Sequence, residues 1–375
     1  MRLVIAAMVA SLCALPHADA EACGVFFDQA APVTMDAQQV LMVFREDTVA
    51  LHVQVVAKDA SKATAWVLPV PVAPEISLGS NAIFSALRGY TEPAIISHQD
   101  PGFVVSGGCG GSADAAGNFR AGGDTSPVTQ IASGKVGSYT YDVVQATSAE
   151  ELVDWLKDEG YAVEDTAADA LAPYVAQGLA FVWARLSDDV TVDESTALAP
   201  LVITFPRPIN SQYLFPLGLS RLSSAEVMPV LFFVLADKRF RVTNYGSTDL
   251  QGLADRFANA DGLSYDATFD LLTEESGGRL MLTEFAQDLT DREDMPVELA
   301  ALVDTEAHYL TRIYARPKPA YLIDANLTFA DDAPDVAPTA TPRSTDSHAG
   351  LPFMLLLGSA LWMLRRRERA SAARD

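Results

Sequence analysis

Two apolar stretches, one at each end of this 375-residue chain, bracket everything else and decide the compartment in which the rest folds. At the start, Arg2 is the only charge ahead of an apolar run from Leu3 to Leu15. Pro16 breaks that run, and Ala18-Asp19-Ala20 puts small residues where a signal peptidase reads. A charged start, a short apolar middle and a small-residue close are the layout of a removable export signal. The run is too short for a comfortable membrane span. Residues 1–20 are therefore read as a signal peptide cut between Ala20 and Glu21. Cys23 raises lipid attachment as a rival, but Glu21 is acidic at a position where that signal takes a small or apolar residue.

The other end has three parts. Residues 331–348 are rich in Ala, Asp, Pro and Thr without apolar periodicity, which predicts a disordered stalk. Residues 349–364 are apolar from Leu351 to Leu364 and are stopped by Arg365, Arg366, Arg367 and Arg369. As a helix at about 1.5 Å per residue, Leu351 to Leu364 covers roughly 21 Å, against a hydrocarbon core of roughly 30 Å. Length favours a buried core helix. Position favours a membrane: the segment follows a linker, ends the chain, and carries arginines that the positive-inside bias retains on the cytoplasmic side. The expectation is a transmembrane or sorting helix with residues 365–375 as a basic cytoplasmic tail. The layout resembles the C-terminal sorting tails of some bacterial surface proteins, which a protease removes. It lacks their Leu-Pro-x-Thr-Gly, Pro-Glu-Pro, Gly-Gly or Cys signatures, so a plain anchor leads and removal is the alternative.

Charge and cysteine use agree with export. The formal net charge is −23, and the body is more acidic still, because the tail sets five Arg against Glu368 and Asp375. A field of that sign repels nucleic acid and anionic lipid headgroups. It suits a solvated surface and is able to attract cations, but Ser187 to Glu194 lacks the glycine that an EF-hand loop needs at its turn. Once Cys13 leaves with the signal, Cys23 and Cys109 remain, and two cysteines in an oxidising compartment most often pair. A free nucleophilic thiol and metal ligation are the alternatives.

Residues 21–330 are long enough for one large domain or two intimate halves, 21–205 and 206–330. Val40–Phe44, Thr48–Val56 and Ala65–Val70 read as strands, the last closed by Pro69, Pro71 and Pro74. Ser80 caps a short helix carrying Ile83, Phe84 and Leu87 on one face. From residue 139 an order recurs: strand, two helices, strand, strand, then Arg207-Pro208 and Tyr213-Leu214. From residue 239 it returns and ends on Arg316-Pro317 and Tyr321-Leu322, which suggests an internal duplication. The first helix of the earlier set opens on the capping box Ser148-Ala149-Glu150-Glu151. The class predicted is α+β, mainly antiparallel strands with inserted helical pairs. There is no glycine-rich strand–turn–helix of the kind a nucleotide-binding sheet uses.

Three motifs carry a resemblance: Cys23-Gly24-Val25-Phe26-Phe27; Ala65-Trp66-Val67-Leu68-Pro69-Val70-Pro71 with Pro74-Glu75-Ile76; and Leu310-Thr311-Arg312-Ile313-Tyr314. Over roughly residues 22–330 the chain resembles the bacterial domain of unknown function 2330 family, exported proteins that often carry a C-terminal membrane segment. Members often continue Cys-Gly-Gly-Phe-Phe-Cys, whereas Val25 and Asp28 stand here, so Cys109 is left as the partner for Cys23. The family brings no activity to carry over.

Candidate sites are few. Trp66, Pro69 and Pro71, together with Arg312, are read as a candidate ligand groove, against the plainer reading of a buried edge strand. Arg207, Arg312 and Arg316 suit either burial beside a carboxylate or recognition of an anion. Glu75, Glu274, Glu275 and Glu284 offer carboxylates for hydrolysis, but sequence does not set their separation. His52 falls on the polar side of its strand and is read as exposed there, and no Gly-x-Ser-x-Gly elbow is present. No catalytic, cofactor or metal residue is assigned. The expectation is an exported, membrane-anchored envelope protein with a non-enzymatic binding or scaffolding ectodomain. Its partners would be the membrane, through the C-terminal helix, and an unknown protein or surface, with no nucleic acid. A secreted hydrolase using carboxylates or Cys109, and a cation-binding acidic surface protein, are the rivals.

Overall fold

The computed structural model describes residues 25–29, 34–58, 64–95, 128–164, 166–187, 199–208, 212–260 and 263–341. The cleavage site at Ala20 and Glu21, the pair Cys23 and Cys109, and the segment Leu351 to Leu364 with Arg365, Arg366 and Arg367 lie outside these residues.

The chain opens with β1 (Val25–Asp28), β2 (Thr34–Phe44), β3 (Thr48–Lys58), β4 (Thr64–Val70) and β5 (Glu75–Leu78), then α1 (Asn81–Thr91) and β6 (Ala94–Ile95). The hairpin β7 (Val128–Val136) and β8 (Tyr139–Ala146) leads to α2 (Ala149–Asp158), α3 (Thr166–Ala176), β9 (Ala180–Leu186) and β10 (Leu201–Pro206). Next come β11 (Gln212–Phe215), β12 (Val230–Ala236), β13 (Phe240–Val242) and β14 (Gly246–Asp249). Helices α4 (Leu250–Ala258) and α5 (Tyr265–Glu275) precede β15 (Leu280–Asp288). Helix α6 (Val297–Ala300) precedes β16 (Tyr309–Ala315), β17 (Ala325–Phe329) and β18 (Thr339–Ala340).

Two sheets dominate, one ordered β1-β4-β9-β8-β7 and one ordered β14-β15-β16-β12-β2-β3-β10-β5. Most neighbours are antiparallel; β2 with β12, β14 with β15, and β6 with β18 are parallel. The class is α+β, as the pattern of elements predicts.

The period-2 geometry of strands explains why the central strands are apolar without interruption. β2 sends Val40, Met42 and Phe44 into a core shared by both sheets, and Leu41 and Val43 to the opposite face. β12 divides in the same way, Val230, Phe232 and Val234 against Leu231, Phe233 and Leu235. β4 sends Trp66, Leu68 and Val70 inward and Ala65 and Val67 outward. Helices seal the outer faces: α2 and α3 through Leu152, Leu156 and Leu171 on the five-stranded sheet, and α1 and α6 through Phe84, Leu87 and Leu299 on the eight-stranded one. Helices α4 and α5 cover the β15 end of that face through Leu250 and Phe269.

The caps hold in part. Ser80 Oγ accepts from Ala82 N at 3.1 Å, and Ser148 Oγ accepts from Glu151 N at 3.2 Å. Glu151 does not return the bond to Ser148; its carboxylate accepts from the Thr147 hydroxyl instead, so half of the capping box forms.

Two expectations are corrected. Residues 331–341 are not part of a stalk: Val336 exchanges two backbone hydrogen bonds with Ala286 (2.9 and 2.8 Å), and β18 pairs with β6. Composition hid this because two small anchors, Val336 and Ala340, suffice to bury the segment against α4 and β15. The halves 21–205 and 206–330 share one sheet, in which β2 of the first runs beside β12 of the second. His52 is not simply exposed. It lies half-buried on the helix-covered face of β3, beside Gln54, whose amide bonds Asn81 of α1. The second set of elements is interrupted by β14 between β13 and α4 and by α6 between β15 and β16, and β8 pairs antiparallel with β9 whereas β13 pairs with β17.

Candidate functional site

The third family motif lies on β16 and its extension. Alternation along the strand turns Ile313 and Ala315 into the shared core and leaves Arg312, Tyr314 and Arg316 on the outer side. Arg312, 8 % exposed, meets Glu284, which is fully buried, at 2.6 Å from Nε to Oε2. Glu284 falls where the register between β15 and β16 shifts between Thr283 and Phe285. A bulge residue has no partner opposite it, which frees its side chain to be re-aimed. The Tyr265 hydroxyl donates to Glu284 Oε1 at 2.6 Å, and Arg312 donates through Nη1 to Thr91 Oγ1 at 3.1 Å and to the Arg88 carbonyl at 3.4 Å. Burial pushes the Glu284 carboxyl up from its ordinary value, against the pull of Arg312. Burial also raises the Tyr265 phenol, with the Glu284 charge adding to it.

A ladder of charge continues from this centre. Asp266, Asp270 and Glu274 recur every four residues along α5, roughly 6 Å apart at the helical rise. Tyr314, Arg316 and Lys318 recur every two residues of extended chain, roughly 6.6 Å apart. The near match in spacing lets the two rows meet rung by rung. Tyr314 donates to Asp266 at 3.0 Å; Arg316 takes Asp270 with two bonds of 2.6 and 3.1 Å; Lys318 reaches Glu274 at 2.8 Å. A forked arginine–carboxylate contact of this kind fixes geometry as well as charge.

The last rungs open on a cleft of about 630 Å³, lined also by Glu226, Thr273, Gly278 and Tyr321. Gly277 and Gly278 have φ of +73° and +84°, the left-handed turn that commonly closes a helix. A Cβ at Gly278 would come within 2.5 Å of the Tyr321 ring, so the floor of the cleft stays bare. The Thr273 hydroxyl is buried there without a hydrogen bond.

The structure scatters several sequence candidates. Trp66 faces the shared core and Pro69 is buried in β4, whereas Arg312 lies on the outer face of the other sheet beneath α1, and Pro71 follows the end of β4. These four do not line one groove. The carboxylates also part company: Glu284 is enclosed, Glu274 holds Lys318, Glu275 holds Arg256 at 2.8 Å, and Glu75 sits exposed on β5. Arg207 holds the Tyr213 hydroxyl and the Arg45 carbonyl. Among the described residues no three carboxylates, histidines or cysteines converge to hold a metal ion, and no helix is long and apolar enough to cross a membrane. Sequence reading missed Tyr265, Asp266, Asp270 and Thr91. The i, i+4, i+8 acidic spacing on α5 was the available signal.

A solved structure, the crystal structure of baculovirus P35, is similar to this chain at 9 % identity with a TM-score of 0.33, covering 82 % of this chain and 99 % of that one. No curated protein matches. The sequence profile of a bacterial family described as an uncharacterized protein conserved in bacteria, DUF2330, matches residues 17–330, and the chain belongs to that family.

Proposed function

We propose that this protein is exported, held to a membrane by the segment Leu351 to Leu364, and presents its body as a non-enzymatic binding or scaffolding ectodomain of the bacterial envelope. The sequence of the two ends supports export and anchoring. The observation that carries the reading of the body is the use made of its charged groups. Glu284 and Arg312 pair out of reach of solvent, with the hydroxyl of the partly buried Tyr265 on the carboxylate, and Asp270, Glu274, Arg316 and Lys318 are spent on each other at the cleft. Groups so paired hold layers in register; a general acid or base must instead reach a substrate proton. A disulfide between Cys23 and Cys109 belongs to the same proposal. Cell fractionation tests it: the protein should sediment with membranes and be degraded by protease added to spheroplasts. A protein recovered from the cytosol and protected from that protease would contradict it.

A further inference from the structure

A second cleft, far from the charge ladder in sequence and in fold, lies on the outer face of the five-stranded sheet where α2 ends. It encloses about 210 Å³, less than the roughly 300–1,000 Å³ of pockets for drug-sized ligands, and has room for a single ring. Strand alternation brings Gln130 of β7, Asp142 of β8, and Trp183 and Arg185 of β9 to one face, with Asp142 directly opposite Trp183. The last turn of α2 and its cap add Trp155 and Glu159.

We propose that this cleft binds one pyranose ring of a glycan, with Trp155 as the stacking platform and Gln130, Asp142 and Arg185 as the fork for its hydroxyls. Two observations carry this beyond a patch of polar residues. First, the aromatic wall is built: Trp155 packs edge-on against Trp183 with centroids 4.5 Å apart, which leaves Trp155 half-buried at the rim. Second, the polar wall is held in place. Gln130 donates to Asp142, and Arg185 lies 3.6 Å from the same carboxylate. An amide, a carboxylate and a guanidinium side by side supply both donors and acceptors, which a pair of neighbouring hydroxyls requires.

A cationic ligand suits the site less well. The Arg185 guanidinium already lies 4.9 Å from the Trp183 ring centroid, so the place over that aromatic face is occupied by the protein's own cation. The proposal goes beyond the envelope reading, which would stand if this cleft bound nothing.

The test is a fluorescence titration of the full chain in detergent, since Trp155 and Trp183 report on the cleft. The probes are an N-acetylglucosamine tetramer, a glucose tetramer and tetramethylammonium. One of the two sugars should give a saturable change. Affinity should fall about tenfold in Gln130→Ala and in Asp142→Asn, the loss of one good hydrogen bond, and stay unchanged in Lys318→Ala at the other cleft. Gln130 is exposed and Asp142 keeps 18 % of its side chain exposed, and unaltered melting curves for their variants separate lost binding from lost folding. No saturable response to either sugar, wild-type affinity in both rim variants, or a response to tetramethylammonium alone would overturn the proposal.

Discussion

Glu284 and Arg312 form a buried ion pair, 2.6 Å from Oε2 to Nε, at a bulge in the eight-stranded sheet. Neither strand could hold its charge alone. The bulge aims the carboxylate, and α1 takes up the Nη1 hydrogens of the guanidinium through Thr91 and the Arg88 carbonyl. Removing one partner leaves the other charged and dry. Arg312→Met should therefore cost about 3–5 kcal/mol in urea unfolding, and the double change Glu284→Met with Arg312→Met should recover part of the loss. A single variant as stable as the wild type would show that the pair does not order the sheet.

The glycine turn after α5 gives a paired prediction. Gly277 and Gly278 both have positive φ, but a Cβ meets nothing at Gly277 and strikes the Tyr321 ring at Gly278. Gly277→Ala should cost about 1 kcal/mol for the backbone alone, and Gly278→Ala clearly more. Equal melting temperatures for the two variants would place Tyr321 elsewhere in solution.

His52 predicts a pH dependence. Burial, helped by the Arg45 charge, lowers its pKa from 6.5 to about 4. The unfolded chain then binds more protons between these values, so His52 contributes stability that is fully present above pH 6.5 and is lost as pH falls toward 4. At pH 5 the loss is on the order of 1–2 kcal/mol. The drop in melting temperature between pH 7.5 and 5 should be smaller in His52→Gln; an identical drop would remove His52 from the account.

Truncation tests the packing of residues 331–341. A chain ending at Ala330 loses Val336, Ala340 and the β18–β6 pairing, and should melt several degrees lower than one ending at Thr341. Equal melting temperatures would return this segment to the stalk.

Sequence exposed the regular parts of this fold well. Unbroken apolar runs at Val40–Phe44 and Ala65–Val70 marked strands buried on both faces, and Ser80 and Ser148 marked real helix starts. The site was legible residue by residue but not as a set. Arg312 and Arg316 read as arginines suited to a carboxylate or an anion, and Glu274 and Glu284 as candidate carboxylates, yet their partners depend on a bulge and on the match between a helical and an extended repeat. A bulge leaves no mark in a single sequence. The groove expected from Trp66 and Arg312 failed because alternation sends them to different faces of different sheets. The second cleft was hidden for the same reason: Gln130, Asp142, Trp155 and Trp183 come from four elements and meet only after the sheet forms.

The most direct measurement of the central claim is the intact mass of the protein recovered separately from membranes and medium. The account predicts a membrane form that begins at Glu21, keeps the arginines from Arg365 onward, and is lighter by the two hydrogens of a Cys23–Cys109 disulfide. A form in the medium that has lost the tail would move the protein from anchored to released. A full-length mass beginning at Met1, with both cysteines reduced, would contradict export itself.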